Sequence, residues 1–336
     1  MRVFEVNGAF GVENLKQVER QEPKPGPGQV VVRMGAASLN YRDLLMVQGH
    51  YNPRQPLPLI PLSDGAGEVV AVGAGVSRVA VGDRVMGLFV QKWLDGPFSA
   101  EGRASTLGGP LDGMLAEYQV LDAEGVVITP DHLSDAEAAC LPCAALTAWN
   151  ALFAQGRLQA GQSVLLQGTG GVSINALQLA KAAGARVIIT SSSDEKLQRA
   201  KTLGADDTIN YKEVPKWGKA VLELTDGLGV DHVVEVGGAE TLAQSLTAVR
   251  FGGAVHAIGV LAGVMTKLPV TSILMKHVRV QGIFVGSRAM FEGMNRALTQ
   301  HEIHPVVDKE IPFSEAPEAF TMLGKGGHFG KIVITF

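Results

Sequence analysis

Three closely spaced glycines, Gly168, Gly170 and Gly171, lie in the segment QGTGGVS (167–173). Of all the residues in the chain, their type and spacing speak most directly of chemistry. A short apolar run (163–167) precedes them, an apolar stretch closed by Gly184 follows, and a second apolar run (186–190) comes next. That order predicts strand, turn, helix and strand. A glycine turn at such a junction lets the backbone approach a pyrophosphate, and the helix start adds unpaired N–H groups and a partial positive charge. The segment therefore predicts a dinucleotide site over Gly168, Thr169, Gly170, Gly171 and Val172.

The form of the dinucleotide is read about 20 residues further on, where an acidic residue usually holds an unmodified ribose. Here that place is Ser191, followed by Ser192 and Ser193, with Lys196 one turn into the next predicted helix. Hydroxyls and an ammonium suit a 2′-phosphate, so NADPH is expected, with NADH as the alternative. Ser192 with Glu195 also has the spacing of a helix cap. Gly237 and Gly259 follow two further apolar runs (231–236 and 253–260), at strand ends that in an open parallel sheet face the same ligand.

Two other groupings invite a chemical reading. Cys140 and Cys143 spell C-x-x-C, and with Pro142 between them and alanines around they read as two buried helical thiols. His301, Glu302 and His304 form a local cluster that reads as a solvated loop beside Pro305 rather than a metal site.

The elements that must position these residues fall into two kinds. Short runs separated by glycine at 29–34, 65–72, 79–88, 115–120 and 125–128 predict a compact, mostly antiparallel β domain. Within it, residues 91–112 are rich in Gly, Ser and Pro and read as a mobile surface loop. From Leu133 the pattern changes. Ser134 and Glu137 predict a capping box for a helix through Phe153, and strands then alternate with helices, which implies a parallel sheet. After Ile283 a helix (290–299) and a final strand (331–336) return to the first kind. The boundaries are placed at residues 1–130 with 285–336 for the β domain and 131–284 for the dinucleotide domain, with a ligand cleft expected between them.

The bulk numbers agree with an ordinary globular chain: 336 residues, 46% hydrophobic, 18% charged, formal net charge −4 and two cysteines. That charge leaves no electrostatic footprint for nucleic acid or an anionic membrane. No uninterrupted apolar run reaches the length of about 20 residues needed for a span. The start of the chain is not that of a signal peptide, and a reducing cytoplasmic location is expected.

Taken together, PGPGQVVVR (25–33), SLNYRD (38–43), SDGAGEVVAVGAGV (63–76), GDRV (82–85), the Gly168 turn and GKIVITF (330–336) make the chain resemble the medium-chain dehydrogenase/reductase superfamily. The resemblance covers essentially the whole length. It implies an α/β fold: a GroES-like, mostly-β catalytic domain joined to a Rossmann domain with a doubly wound parallel sheet. It also implies an NAD(P)H-dependent oxidoreductase acting on a small molecule, assembled as a homodimer or homotetramer through strands near 268–284.

Departures from the zinc alcohol dehydrogenases of that superfamily are specific. Their first ligand cysteine is matched by Asn40, their ligand histidine by Ser63 with Asp64 following, and only Cys143 keeps a thiol. Residues 91–112 lack the four cysteines of a structural zinc lobe, and the proton-relay places hold Arg42 and Leu45. No zinc is expected at either site. The resemblance further implies Thr147 against the nicotinamide and Lys331 at the pyrophosphate, with Phe284 and Arg288 of FVGSR as further cofactor candidates. Tyr51 of QGHYNP resembles the tyrosine that zinc-free enoyl reductases place beside substrate, and Asn40 and Tyr41 are the other catalytic candidates. The short QGTGGVS turn is nearer the alcohol-dehydrogenase type than the quinone-reductase type. Hydride transfer to an activated C=C (enone, quinone or enoyl thioester) is the expected reaction. Zinc-free alcohol or carbonyl chemistry is the alternative, and a non-catalytic NADPH-binding protein is a third reading.

Overall fold

The computed structural model describes residues 1–268 and 270–336. The chain divides into two units, Met1–Leu146 with Val285–Phe336, and Thr147–Phe284.

In chain order, β1 (Arg2–Val6) pairs antiparallel with β2 (Leu15–Glu19), and β3 (Gln29–Ser38) then leads into α1 (Tyr41–Val47). Next come β4 (Asp64–Val72), β5 (Arg84–Gly87), α2 (Ala100–Ala104), β6 (Tyr118–Asp122), β7 (Val126–Ile128) and α3 (Asp135–Ala138). After α4 (Leu146–Trp149) the second unit supplies β8 (Ser163–Gln167), α5 (Gly171–Ala182), β9 (Arg186–Ser191), α6 (Asp194–Thr202) and β10 (Asp207–Asn210). It continues with α7 (Trp217–Leu224), β11 (Val230–Glu235), α8 (Leu242–Ala248), β12 (Val249–Ala257), α9 (Val270–Met275) and β13 (Arg279–Gly282). The chain returns to the first unit with α10 (Arg288–Gln300), β14 (Val307–Pro312), α11 (Ala316–Lys325) and β15 (Lys331–Thr335).

The first unit is built on a sheet of order β14-β15-β3-β4-β5-β7, with β6 pairing β3. Valines and isoleucines of its inner faces, among them Val30, Val32, Val69, Val85, Ile332 and Ile334, form one core with α11 residues Phe320 and Leu323. Only β14 and β15 run parallel; the other neighbours are antiparallel. Residues 115–117, predicted as strand, instead bond β1 across Phe4 N–Leu115 O at 3.0 Å, so β6 starts at Tyr118.

The segment 91–112 differs from the surface loop predicted for it. It contains α2, capped by Ser99 Oγ, and it buries Gln91, Trp93, Ser105, Thr106 and Leu107. Its serines are spent on local backbone hydrogen bonds, such as Ser105 Oγ to Gly102 O at 2.7 Å, and Gln91 Nε2 donates to Leu88 O and Gly125 O, both at 2.9 Å.

The helix expected after Ser134 has its capping box but is not uniform. Leu141–Ala145 and Asn150–Gln155 are π-helical on either side of α4. Pro142 has no N–H to give the ladder, and Cys143 N donates outside it, to Asp64 Oδ2 at 2.9 Å. By length and composition Asp135–Gln155 could pass for a membrane span, but it is mostly buried inside the fold. The first unit runs on to Leu146, beyond the boundary at 130 read from the pattern change. There α3 packs on β3 and β4, and Asp135 pairs with Arg84 at 2.6 Å.

The second unit has one parallel sheet of order β10-β9-β8-β11-β12-β13. Its strands are apolar on both faces: Leu165, Ile188, Val233 and Val255 are all fully buried. Such a doubly wound sheet reverses strand order between β8 and β11, and ligands bind at the carboxyl ends beside that reversal.

Candidate active site

The Gly168 turn leaves β8 at that reversal. Gly168 has φ +67°, a left-handed conformation that L side chains rarely adopt, and Gly170 caps α5 with open space where a Cβ would stand. Ser173 Oγ donates to Gln167 O at 2.6 Å and ties the first turn of the helix back to the strand. The first N–H groups of this 12-residue helix therefore meet an uncrowded backbone cradle, which fits a dinucleotide pyrophosphate. Thr169 is buried, while Gly171 and Val172 are half-buried at the helix start. Thr147, assigned to the nicotinamide by resemblance, is buried.

At the ribose end β9 runs one residue past its predicted limit to Ser191, which is buried. That extension moves the helix cap: Ser193, not Ser192, accepts from Lys196 N. Asp194, the nearest acid, is engaged by Asn210 Nδ2 at 2.8 Å. Tyr211 N donates to Ser191 O at 3.0 Å, which places the half-exposed Tyr211 beside the end of β9. The sequence reading missed Tyr211, since its place depends on parallel pairing of β10 with β9.

Sequence reasoning also missed Glu235, a fully buried carboxylate at the end of β11. Its Oε1 accepts from Gly237 N at 2.8 Å, Gly238 N at 2.9 Å and Thr241 Oγ1 at 2.5 Å. Its Oε2 accepts from Gln167 Nε2 at 2.7 Å and from Ser245 Oγ. Gln167 and Glu235 thus brace the carboxyl ends of β8 and β11 and shape the Gly237 turn. Gly259 lies close against Val236, where an added Cβ would come 2.3 Å from its carbonyl oxygen. The signal available in sequence was a single acid inside the apolar run VVEV (233–236).

In the first unit a second polar cluster is buried between α1, β4, the π-helical turn and β15. Lys331 Nζ donates to Leu39 O at 2.5 Å and to Asn40 Oδ1 at 2.6 Å. Asn40 Nδ2 donates to Ser63 Oγ at 3.3 Å, and Ser63 Oγ donates to Asp64 Oδ1 at 2.8 Å. Asp43 accepts from Asn40 N at 2.8 Å and from Arg42 Nη1 at 3.2 Å. Burial pushes Asp43 up to about 6 against the pull of Arg42. Burial also raises Asp64, opposed by Lys331. It pushes the Cys140 thiol up to about 12 and raises Cys143 as well, so both remain thiols at neutral pH. Both cysteines are free, Cys140 buried and Cys143 half-buried. Among the described residues, no group of three or more His, Cys, Asp or Glu side chains could hold a metal ion.

The remaining candidates are distributed around this cluster. The Arg42 guanidinium lies 5.0 Å from the ring centroids of both Tyr51 and Phe89, holding Tyr51 half-exposed at the surface of the unit. Tyr41 is exposed at the first position of α1. Lys331, given the pyrophosphate by resemblance, directs its ammonium into the Asn40 cluster. Arg288 pairs with the Glu124 carboxylate and with Glu124 O at 3.1 Å. Phe284 ends the second unit and is half-buried. His304 bonds Glu137 at 2.8 Å and stacks edge-on against His132.

A glycine cradle on a doubly wound sheet, joined to a GroES-like sheet with a buried polar cluster, defines a nicotinamide-dinucleotide oxidoreductase. Residues 26–131 match the alcohol dehydrogenase GroES-like domain, and residues 171–300 match the zinc-binding dehydrogenase family. A zinc-type alcohol dehydrogenase-like protein of Schizosaccharomyces pombe is 46% identical over 331 residues, covering 96% of each chain. An acryloyl-coenzyme A reductase of Metallosphaera sedula is 30% identical, covering 94% of this chain and 95% of its own. The crystal structure of an NAD-dependent alcohol dehydrogenase superposes with TM-score 0.92 at 34% identity, covering 100% of both chains. The chain belongs to the medium-chain dehydrogenase/reductase superfamily and is an NAD(P)-dependent oxidoreductase.

Proposed function

We propose that the protein is a zinc-independent, NADPH-dependent reductase that delivers hydride to an activated C=C of an enone, quinone or enoyl-type substrate. The observation that carries this reading is the buried Lys331–Asn40–Ser63–Asp64 chain, in which Asn40 and Ser63 are the residues that the resemblance matches to zinc ligands. A catalytic zinc site needs three deprotonated or neutral ligands and an open position. Here the only thiol at that place is held protonated by burial, Asp64 is already engaged by Ser63 and Cys143 N, and an ammonium lies on Asn40. This donor set does not suit zinc.

The bound nicotinamide would supply the hydride. The Gly168 turn and the start of α5 would hold the pyrophosphate, and Ser191, Ser192, Lys196 and Tyr211 the phosphorylated ribose. No carboxylate stands at Ser191, and Asp194 is occupied by Asn210, which favours NADPH over NADH. Hydride addition to the β-carbon moves the C=C pair toward the conjugated oxygen, and the α-carbon later takes a proton. Because the charge is spread over an enolate, a neutral donor can steady it, worth about 3 kcal/mol when well placed. Asn40 is assigned as that donor, and Tyr51 or Tyr41 as the group that returns the proton.

A second reading, alcohol–carbonyl interconversion without zinc, is favoured by the names of the 46% and 34% identical relatives. Turnover of enones, quinones, enoyl thioesters, aldehydes and alcohols with each nucleotide, followed by nicotinamide absorbance alongside zinc analysis, tests both. Turnover of aldehydes alone, or activity that tracks bound zinc, would overturn the first. The same reading includes a homodimer or homotetramer. Edge strand β13 and the exposed Met265, Leu274 and Met275 offer a surface for it, to be measured by light scattering.

A further inference from the structure

We infer that Lys331 is a positioning residue that fixes and polarises the Asn40 carboxamide, so that an N–H rather than a carbonyl meets the reacting oxygen. The argument starts from what each group can do. An ammonium only donates, and an ionised carboxylate only accepts. Lys331 Nζ, 2.6 Å from Asn40, therefore requires the amide oxygen on its side. At the other end Asp64 Oδ1 accepts a hydrogen bond from the Ser63 hydroxyl at 2.8 Å, which leaves the Ser63 oxygen to accept from Asn40 Nδ2 at 3.3 Å. The two ends agree, and the orientation of the amide between them has no alternative that avoids facing donor to donor.

All four side chains are at least nine-tenths buried, so water cannot substitute for a partner. A cation on the amide oxygen draws electron density from the nitrogen and makes its protons better donors. At rest the Nδ2 group serves Ser63 and the neighbouring Asp64, and one of its protons is assigned to the developing oxyanion when substrate is bound. Cys143 N fixes the remaining Asp64 oxygen at 2.9 Å, so the local π-helical turn contributes to the same alignment. A lysine on the last strand thus supplies the charge and a neutral amide conveys it. This rests on the hydride-transfer reading for its catalytic consequence, though not for its geometry.

The test uses the full-length protein in two arms. In the first, Asn40→Asp keeps a partner for Lys331 but offers no N–H, and kcat for the best acceptor is expected to fall about 100-fold while the NADPH Kd stays within about 2-fold. Lys331→Met should lower kcat with little change in acceptor KM, and Lys331→Arg should restore part of it. In the second arm, protein labelled with ¹⁵N-asparagine reports the Asn40 side-chain amide, assigned by its loss in Asn40→Asp. It should be exchange-protected in the wild type and shift, with lost protection, in Lys331→Met. Wild-type kcat in Asn40→Asp, or an amide signal unmoved in Lys331→Met, would overturn the inference. A wild type inactive on every acceptor would defeat the functional reading, and the amide signal would then decide the orientation by itself.

Discussion

Each unit buries carboxylates among hydrogen-bond donors, and the two clusters are built differently. Glu235 in the second unit is surrounded by neutral donors, two backbone N–H groups, an amide and two hydroxyls, all within three residues of strand ends or helix starts. Asp43 and Asp64 in the first unit are set against cations, Arg42 and Lys331, and both are pushed above the usual carboxylate range by burial. The first arrangement shapes a turn; the second sets buried carboxylates against buried cations. The two buried clusters are distinguished by whether the partners of their carboxylates carry charge.

The comparison can be broken most directly at Glu235. Glu235→Ala leaves its buried donors unpaired and should cost about 4 kcal/mol of stability. Thermal melts check this, and a melting temperature unchanged from wild type would show that the cluster does not build the turn.

The next largest effect is a pH dependence in the first unit. Asp43 has a folded-state value of about 6, above its unfolded value. A raised acid stabilises the fold below the unfolded value and loses that contribution as pH rises through about 6. The loss amounts to about 3 kcal/mol between roughly pH 4 and 7. Urea unfolding of wild type and Asp43→Asn across that range should show this limb in the wild type and its absence in the variant. Parallel curves would remove Asp43 from the charged cluster.

A smaller effect belongs to the ribose end. Ser191→Asp should swing the NADPH-to-NADH preference by about 10-fold toward NADH, read as a ratio of Kd values. Smallest is Arg42→Lys, which keeps the charge near Asp43 but loses the flat stack between Tyr51 and Phe89 at 5.0 Å, about 1 kcal/mol. Tyr51 fluorescence in a variant lacking the other tyrosines reports whether that ring is released.

The glycine turn was legible because its parts are consecutive: Gly168 to Gly171 lie between a strand and a helix that their own patterns announce. Three serines in a row could not announce which of them caps α6, because the choice depends on β9 continuing to Ser191. The buried polar cluster of the first unit was legible only as residue types. Asn40 and Lys331 were both singled out, but their contact joins positions 291 residues apart and follows from β15 pairing with β3. Glu235 was visible as an acid in an apolar run, and its five donors were not, since they come from β8, the turn after β11 and the start of α8.

Lys331 lies on β15, after the whole of the second unit in the chain. During synthesis the Asn40 amide is made early and must wait for its ammonium until the whole second unit has been made. The dinucleotide-binding unit, contiguous in sequence, can be complete by then. A nascent chain halted a few residues short of β15 should therefore already recognise nucleotide while remaining catalytically silent, so that activity becomes competent only once β15 is made.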